Sequence, residues 1–332
     1  MAAHVAPSAS TTPAGEFDLI VVGGGPGGYV AAIRAAQLGL KVACVEREHL
    51  GGICANWGCI PTKALLHTAE TFLALKKGAH LGIHCDGLRF NYGEAIAHSR
   101  RIADGQQRGV GLLFKKNKIE HIKQSAVVKR SAAGVSLQLG DREVRAKHIL
   151  LATGAKPKNI PTLTPDGKDI LTYFEAMNLP AQPASLCIVG AGAIGVEFAY
   201  FYNAIGTKVI LLEALPQILP VEDKEIAQQL QRSLTSQGIA IQTGAKFQSV
   251  EKTASGLKVR FTDASGQARE EVVEKVLSAV GVRGNIDSLG VEAAGIKVER
   301  GFISVDEWYQ VRDNDGRTIP GLRRSPGPHW PP

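Results

Sequence analysis

Cys54 and Cys59 stand with four residues between them in the stretch Gly51-Gly52-Ile53-Cys54-Ala55-Asn56-Trp57-Gly58-Cys59-Ile60-Pro61-Thr62-Lys63-Ala64-Leu65-Leu66. A pair so close can cycle between dithiol and disulfide and pass two electrons. An apolar helical pattern opens after Pro61, and proline is favoured in the first turn of a helix, where its missing N–H costs nothing. Cys59 is therefore expected at or just before a helix N-terminus, where the dipole and free N–H groups favour a thiolate. Two other readings compete. A structural disulfide fits a secreted chain, and nothing marks this one as secreted. A zinc site needs four ligands, usually in tighter Cys-x-x-Cys pairs, and no second pair exists.

The remaining cysteines sharpen that contrast. Cys44 and Cys187 lie in apolar strand-like runs and read as inert core, and Cys85 leaves the total at an odd five. An odd count without a secretory signal points to a reducing compartment, the cytoplasm. His67, His84 and His98 have no ligand spacing, so no metal is expected. Residues 1–15 are rich in Ala, Ser, Thr and Pro, lack Arg and read as a disordered leader. The net charge of +7 comes from scattered Lys and Arg rather than a run, which argues against nucleic acid. No apolar run is long enough to span a bilayer, which argues against a membrane protein. The 332 residues leave room for two domains.

The elements that must position the cysteines begin with a strand, Phe17-Asp18-Leu19-Ile20-Val21-Val22, running into Gly23-Gly24-Gly25-Pro26-Gly27-Gly28. A helix at 29–38 and a strand at 41–45 ending in Glu46 follow. Gly23, Gly25 and Gly28 supply the tight turn, the close approach of a pyrophosphate to the helix N-terminus and the helix–strand packing; Glu46 can accept hydrogen bonds from a ribose. The pattern returns as Leu186-Cys187-Ile188-Val189, then Gly190, Gly192 and Gly195, then a strand ending in Glu213. Gly23 and Gly190, Gly39 and Gly206, Lys41 and Lys208, and Glu46 and Glu213 are each separated by 167 residues. Such an internal repeat of a βαβ unit predicts an α/β fold with two Rossmann-like dinucleotide-binding domains. Glu213 suits the 2′-hydroxyl of NAD and repels the extra phosphate of NADP, and residues 214–218 offer no Arg to receive that phosphate.

Between the repeats, helices are expected at 61–78 and 92–118, and short strands at 119–146. The strand at 148–151 runs into Ala152-Thr153-Gly154 and suits a chain leaving a domain beside a cofactor. An antiparallel excursion is expected at 242–277. The apolar strand at 276–281, ending in Gly281, is expected to cross back to the first domain, and 301–306 fits a further strand.

These motifs together resemble the flavin-dependent pyridine nucleotide–disulfide oxidoreductases, and within them the dihydrolipoamide dehydrogenases. The segments that match are 23–28, 51–66, 152–154, 190–197, Glu213, 279–281 and Gly284-Asn285-Ile286. The resemblance implies FAD at the first site and NAD at the second. It implies an FAD-binding domain at 16–155 that contains the redox disulfide, an NAD-binding domain at 156–281 and a return segment at 282–322. It makes Cys59 the thiolate against the flavin and Cys54 the interchange thiol that meets a dithiol. Lys63 and Glu197 become an ion pair at the flavin; otherwise Lys63 is a surface lysine and Glu197 a first-turn acid. Dihydrolipoamide, on the lipoyl domain of a 2-oxo acid dehydrogenase complex, is the implied substrate, and the family forms homodimers. Other disulfide reductases, of the glutathione or mercuric type, and an inactive dinucleotide-binding remnant are the alternatives.

After Thr318-Ile319-Pro320-Gly321-Leu322 the chain departs from the family pattern. The expected Gly-Asp that holds FAD and the following interface domain give way to an aberrant tail, 323–332, whose His329 sits in no family motif. One explanation is a reading-frame slip: a GC-rich code for Ala-Gly-Pro-Pro-Leu-Ala, read one base later, gives Pro-Gly-Pro-His-Trp-Pro, the sequence of 326–331. The expectation is a C-terminally truncated enzyme with impaired FAD retention, little dimerisation and weak or no lipoamide turnover.

Overall fold

The computed structural model describes residues 17–326; the leader at 1–15 and His329 lie outside the described residues. The contacts divide the chain into two units, one built from 17–52, 107–155 and 284–326, the other from 53–106 and 156–283. Sequence boundaries and contact units part at 53–106, because the helix carrying Cys59 packs Leu65 and Ala69 against Phe198, Phe201 and Tyr202 of the second unit. Each such large side chain contributes about 1.5–3 kcal/mol of transfer free energy when fully buried.

In the first unit Phe17–Val22 is central. It pairs in parallel with Val42–Val45 on one side and Arg142–Leu151 on the other. Glu120–Ile122 extends the sheet past Val42–Val45, while Thr318–Arg324 extends it past Arg142–Leu151. The last strand thus includes Arg323 and Arg324, two of the residues read as tail. Helix α1, Pro26–Gln37, covers one face with Ala32 and Ala35. The opposite face buries Ile20, Ile149 and Leu322 in one core cluster with the hairpin formed by Val127–Ser131 and Gly134–Leu139.

The second unit repeats this plan. Ser185–Val189 lies between Lys208–Glu213 and Lys275–Ser278, all parallel. The repeat extends to register: Leu19 faces Val42, and Leu186 faces Val209, 167 residues on. Lys275–Ser278 is an inner strand of this sheet, where its apolar residues fill the place that Arg142–Leu151 fills in the first unit, and the chain re-enters the first unit at 284, just beyond the crossing expected at 276–281. Lys246–Thr253, Gly256–Thr262 and Ala268–Val273 form the antiparallel excursion.

The residues around the cysteines are more helical than a Gly-rich turn suggests. Gly51 and Gly52 take positive φ, 91° and 57°, and make the turn. The short helix α2, Gly52–Trp57, and then α3, Cys59–Lys77, follow at once. Helix α4 spans Tyr92–Lys116; α5, Tyr173–Ala176, is closed by a capping box of Thr172 and Glu175; α6 spans Ala193–Ala204 and α7 spans Lys224–Ser236.

Candidate active site

Both glycine turns are built alike. Gly23 has φ 107° and Gly190 φ 105°, and a Cβ at either would run into the carbonyl of Ala152 or Ala279. Those carbonyls belong to the segments ending in Thr153-Gly154 and Val280-Gly281, which brings the sequence-predicted Thr153, Gly154 and Gly281 beside the two turns. At Gly28 and Gly195 a Cβ would overlap the carbonyl oxygen of Gly23 and Gly190, respectively. Gly25 and Gly192 are the N-caps of α1 and α6 and bring no side-chain cap, so orphan N–H groups of both first turns remain for an anion. A Cβ on Gly192 would meet no protein atom within 4 Å, leaving that space for a ligand to approach the backbone.

The acids at the strand ends do more than wait for a ribose. Glu46 accepts from the N–H of Gly24 through Oε2 and from that of Glu48 through Oε1, both at 2.8 Å. Glu213 accepts from Ala191 at 2.7 Å and Leu215 at 2.9 Å in the same pattern. Each carboxylate therefore ties its glycine turn to the loop after its strand. With two lone pairs per oxygen, it keeps acceptor capacity for a hydroxyl.

Cys54 and Cys59 are joined in a disulfide with Cα atoms 4.6 Å apart. Cys59 is the first residue of α3, whose N-cap Gly58 makes no side-chain cap. A thiolate released there faces the positive end of the helix dipole. Pro61, Leu65 and Ala69 turn the other face of α3 inward, which leaves Lys63 on the open side. Lys63 Nζ meets Glu197 Oε1 at 2.5 Å. Glu197 is the fifth residue of α6, beyond the first turn, so the first-turn dipole reading does not explain it. On a helix buried nearly all round, a carboxylate kept by a lysine from another helix is the exception.

Helix α4 holds the loop from behind, which sequence reasoning missed. Ser99 Oγ donates to the Pro61 carbonyl at 3.1 Å, and the Arg100 guanidinium donates to the Asn56 carbonyl. The guanidinium also lies 4.3 Å from the centre of the Trp57 ring, whose partner is Phe174 of α5 at 4.4 Å. Burial draws the Arg100 pKa below its ordinary value. Ser325, read as tail, lies against the N-terminus of α1, where a Cβ on Gly27 would strike its Oγ.

The other thiols are separated by environment. Burial pushes the Cys44 and Cys187 thiols up to about 12, whereas Cys85 is exposed. In the native oxidised protein a thiol reagent is expected to label Cys85 alone. Mild reduction should raise the count to three by adding Cys54 and Cys59, and denaturation in reductant to five. Native labelling of Cys44 or Cys187, read by peptide mass, contradicts the assignment of both as core. Among the described residues no cluster of three or more His, Cys, Asp or Glu could hold a metal, and no helix is long and apolar enough to cross a membrane.

The two cradles fit dinucleotides on their own geometry: backbone-tight turns, uncapped helix N-termini and a strand-end acid beside each. A family model for pyridine nucleotide-disulphide oxidoreductase matches residues 17–316. A dihydrolipoyl dehydrogenase of Rhizobium etli is 44% identical over 308 residues, covering 88% of this chain and 64% of the relative. One from Bacillus subtilis is 36% identical over 324 residues, covering 93% of this chain and 68% of that protein. Among solved structures, LpdA from Mycobacterium tuberculosis matches with a TM-score of 0.80 at 28% identity, over 92% of this chain and 66% of that one. The HOCl-induced flavoprotein disulfide reductase RclA of Escherichia coli matches with a TM-score of 0.76 at 26% identity, over 92% and 65%. The chain thus spans just under two thirds of the length of the Rhizobium relative.

Proposed function

The chain belongs to the pyridine nucleotide-disulphide oxidoreductases, and from that premise we propose that it is a flavoprotein of the dihydrolipoamide dehydrogenase type. It passes electrons between dihydrolipoamide and NAD through the Cys54–Cys59 disulfide. The observation that carries the reading is that disulfide at the N-terminus of α3, with Lys63 of the same helix paired to Glu197. In this proposal Gly23, Gly25, Gly28, Glu46, Thr153 and Gly154 hold FAD. Gly190, Gly192, Gly195, Glu213 and Gly281 hold NAD. FAD supplies, when bound, the two-electron chemistry that links a dithiol to a nicotinamide.

The protein's own part is thiol exchange. A thiolate of dihydrolipoamide attacks the Cys54 sulfur, which breaks the bond to Cys59 and leaves Cys59 as a thiolate at the helix N-terminus. The second substrate thiol then displaces Cys54, closing the lipoamide disulfide, and the protein keeps the two electrons as the Cys54–Cys59 dithiol. Lys63, oriented by Glu197, would supply a cation to stabilise negative charge on a bound flavin. A lipoyl domain as natural substrate carrier, a homodimer and a cytoplasmic location belong to the same proposal.

The test is a visible spectrum of the purified protein, before and after anaerobic NADH, followed by NAD reduction with dihydrolipoamide. Flavin absorbance that bleaches with NADH, and turnover with the dithiol, support the reading. A colourless protein that takes up no added FAD refutes it. The nicotinamide preference has its own test. Glu213→Arg removes the carboxylate that suits a 2′-hydroxyl and adds a partner for a 2′-phosphate. It is expected to move the ratio of kcat/KM for NADH over NADPH by about tenfold or more toward NADPH. An unchanged ratio rejects the role given to Glu213.

A further inference from the structure

We propose that Arg100, with Ser99 beside it, is the positioning residue that holds the Cys54–Cys59 loop closed and thereby makes its disulfide harder to reduce, a proposal that rests on the redox role just given to that pair.

Two adjacent residues of α4 grip the loop at points that bracket Cys59. Arg100 donates to the carbonyl of Asn56, and Ser99 donates to the carbonyl of Pro61. Asn56 is itself buried, only 4% exposed, so its carbonyl is fixed rather than free to swing into water. Trp57, next in the loop, touches both the Arg100 guanidinium and the Phe174 ring. This arrangement uses what arginine has and lysine lacks: a planar group that stacks on an indole while its edge donates hydrogen bonds. One terminal nitrogen, Nη1, is buried and without a hydrogen-bond partner. An arginine on a long polar helix avoids that cost by staying in water, so the inward rotamer points to the loop contact as the thing retained.

The effect on chemistry follows from loop entropy. When the S–S bond opens, the two thiols separate as far as the loop allows, and closing it again must recover that freedom. A loop tied to α4 on both sides of Cys59 keeps the thiols near each other, which raises their effective concentration and favours the disulfide. The guanidinium charge acts the other way, because a nearby cation favours a thiolate and hence the reduced pair. A substitution that removes clamp and charge together, compared with one that removes the clamp alone, tells them apart.

The experiment equilibrates the full chain in glutathione buffers, followed by acid quench, alkylation and mass analysis of the peptide holding both cysteines. In this exchange two glutathione thiols become one glutathione disulfide as the Cys54–Cys59 bond is broken to two thiols; two electrons and two protons pass to the protein. Arg100→Lys, which keeps stem and charge but loses the planar fork, is expected to shift the equilibrium toward the dithiol by about tenfold, or about 30 mV for a two-electron couple. Arg100→Met, which also removes the charge that favours the thiolate, and Ser99→Ala should shift it the same way by about threefold. Val259→Ala, which loosens the core of the same unit under the strand Gly256–Thr262, away from the helix that carries Cys59, should leave it unchanged. A shift toward the disulfide in Arg100→Met, or an Arg100→Lys value within about twofold of the unsubstituted chain, overturns the proposal. Arg100→Lys decides alone if far-UV circular dichroism shows Arg100→Met unfolded. No flavin, nicotinamide or lipoamide enters the measurement, so a chain without dehydrogenase activity still reports on the clamp.

Discussion

Cys59→Ser is expected to abolish electron exchange with dihydrolipoamide while leaving NADH oxidation by a quinone nearly intact. The serine occupies the first position of α3 as the cysteine does, so the helix start and its uncapped N-terminus remain. What disappears is the leaving group. A substrate thiolate attacking Cys54 needs a sulfur on the other side of an S–S bond to accept the electron pair, and a hydroxyl makes no such bond. Removing a leaving sulfur for which the site has no substitute should lower dithiol-dependent NAD reduction by about a thousandfold or more. A quinone needs neither cysteine, and its reduction by NADH should stay within about twofold, since no residue assigned to FAD or NAD has changed. Cys54→Ser should lose dithiol turnover equally, for want of the attacked sulfur. If both activities fall together, the cysteine loop is needed to hold the flavin. If neither falls, the disulfide is not on the electron path.

How much of this could be read from the chain depends on how local the cause is. The glycine turns were legible because their constraints are backbone constraints repeated at one offset: Gly23 and Gly190 need positive φ, and Gly28 and Gly195 admit no Cβ. Glu46 and Glu213 were visible as strand-end acids. Their grip on the N–H groups of Gly24 and Ala191 was not, because a carboxylate that ties a loop and one that binds a ribose occupy the same place in a sequence. The pairing of Lys63 with Glu197 spans 134 residues and came from resemblance alone. Arg100 was hidden more deeply. It sits beside Arg101 on a helix with several basic residues, and nothing within a helical turn says which of the two faces inward. Its partners Asn56 and Trp57 lie on α2, a helix that Gly51 and Gly52 disguise as a turn. The strand at 276–281 was legible as a strand but not as an inner one, because an apolar run does not name its neighbours.

The duplicated architecture makes a sharper prediction than either half alone. Gly28→Ala and Gly195→Ala place the same methyl at equivalent positions, each driven onto the carbonyl oxygen of the glycine that opens its own turn, Gly23 or Gly190. Neither oxygen can retreat freely. Gly23 and Gly190 donate their N–H groups to Val45 and Leu212 at 2.8 Å, and the carbonyls of Ala152 and Ala279 close against their other side. Relief must come from moving the helix off its strand, at about 3 kcal/mol for overpacking of this kind. Because the clash is confined to one unit in each variant, the losses should separate. Gly28→Ala should lose flavin, seen as visible absorbance falling to less than about a tenth per chain, while NADH binding by fluorescence titration survives. Gly195→Ala should keep its flavin and lose NADH affinity by about a hundredfold, since about 3 kcal/mol exceeds two factors of ten. The assignment of FAD to the turn at Gly23 and NAD to the turn at Gly190 is then tested by which ligand goes with which glycine. Reversed losses exchange the two cofactors between the repeats, and joint loss from either variant means that the two cradles fold as one cooperative unit.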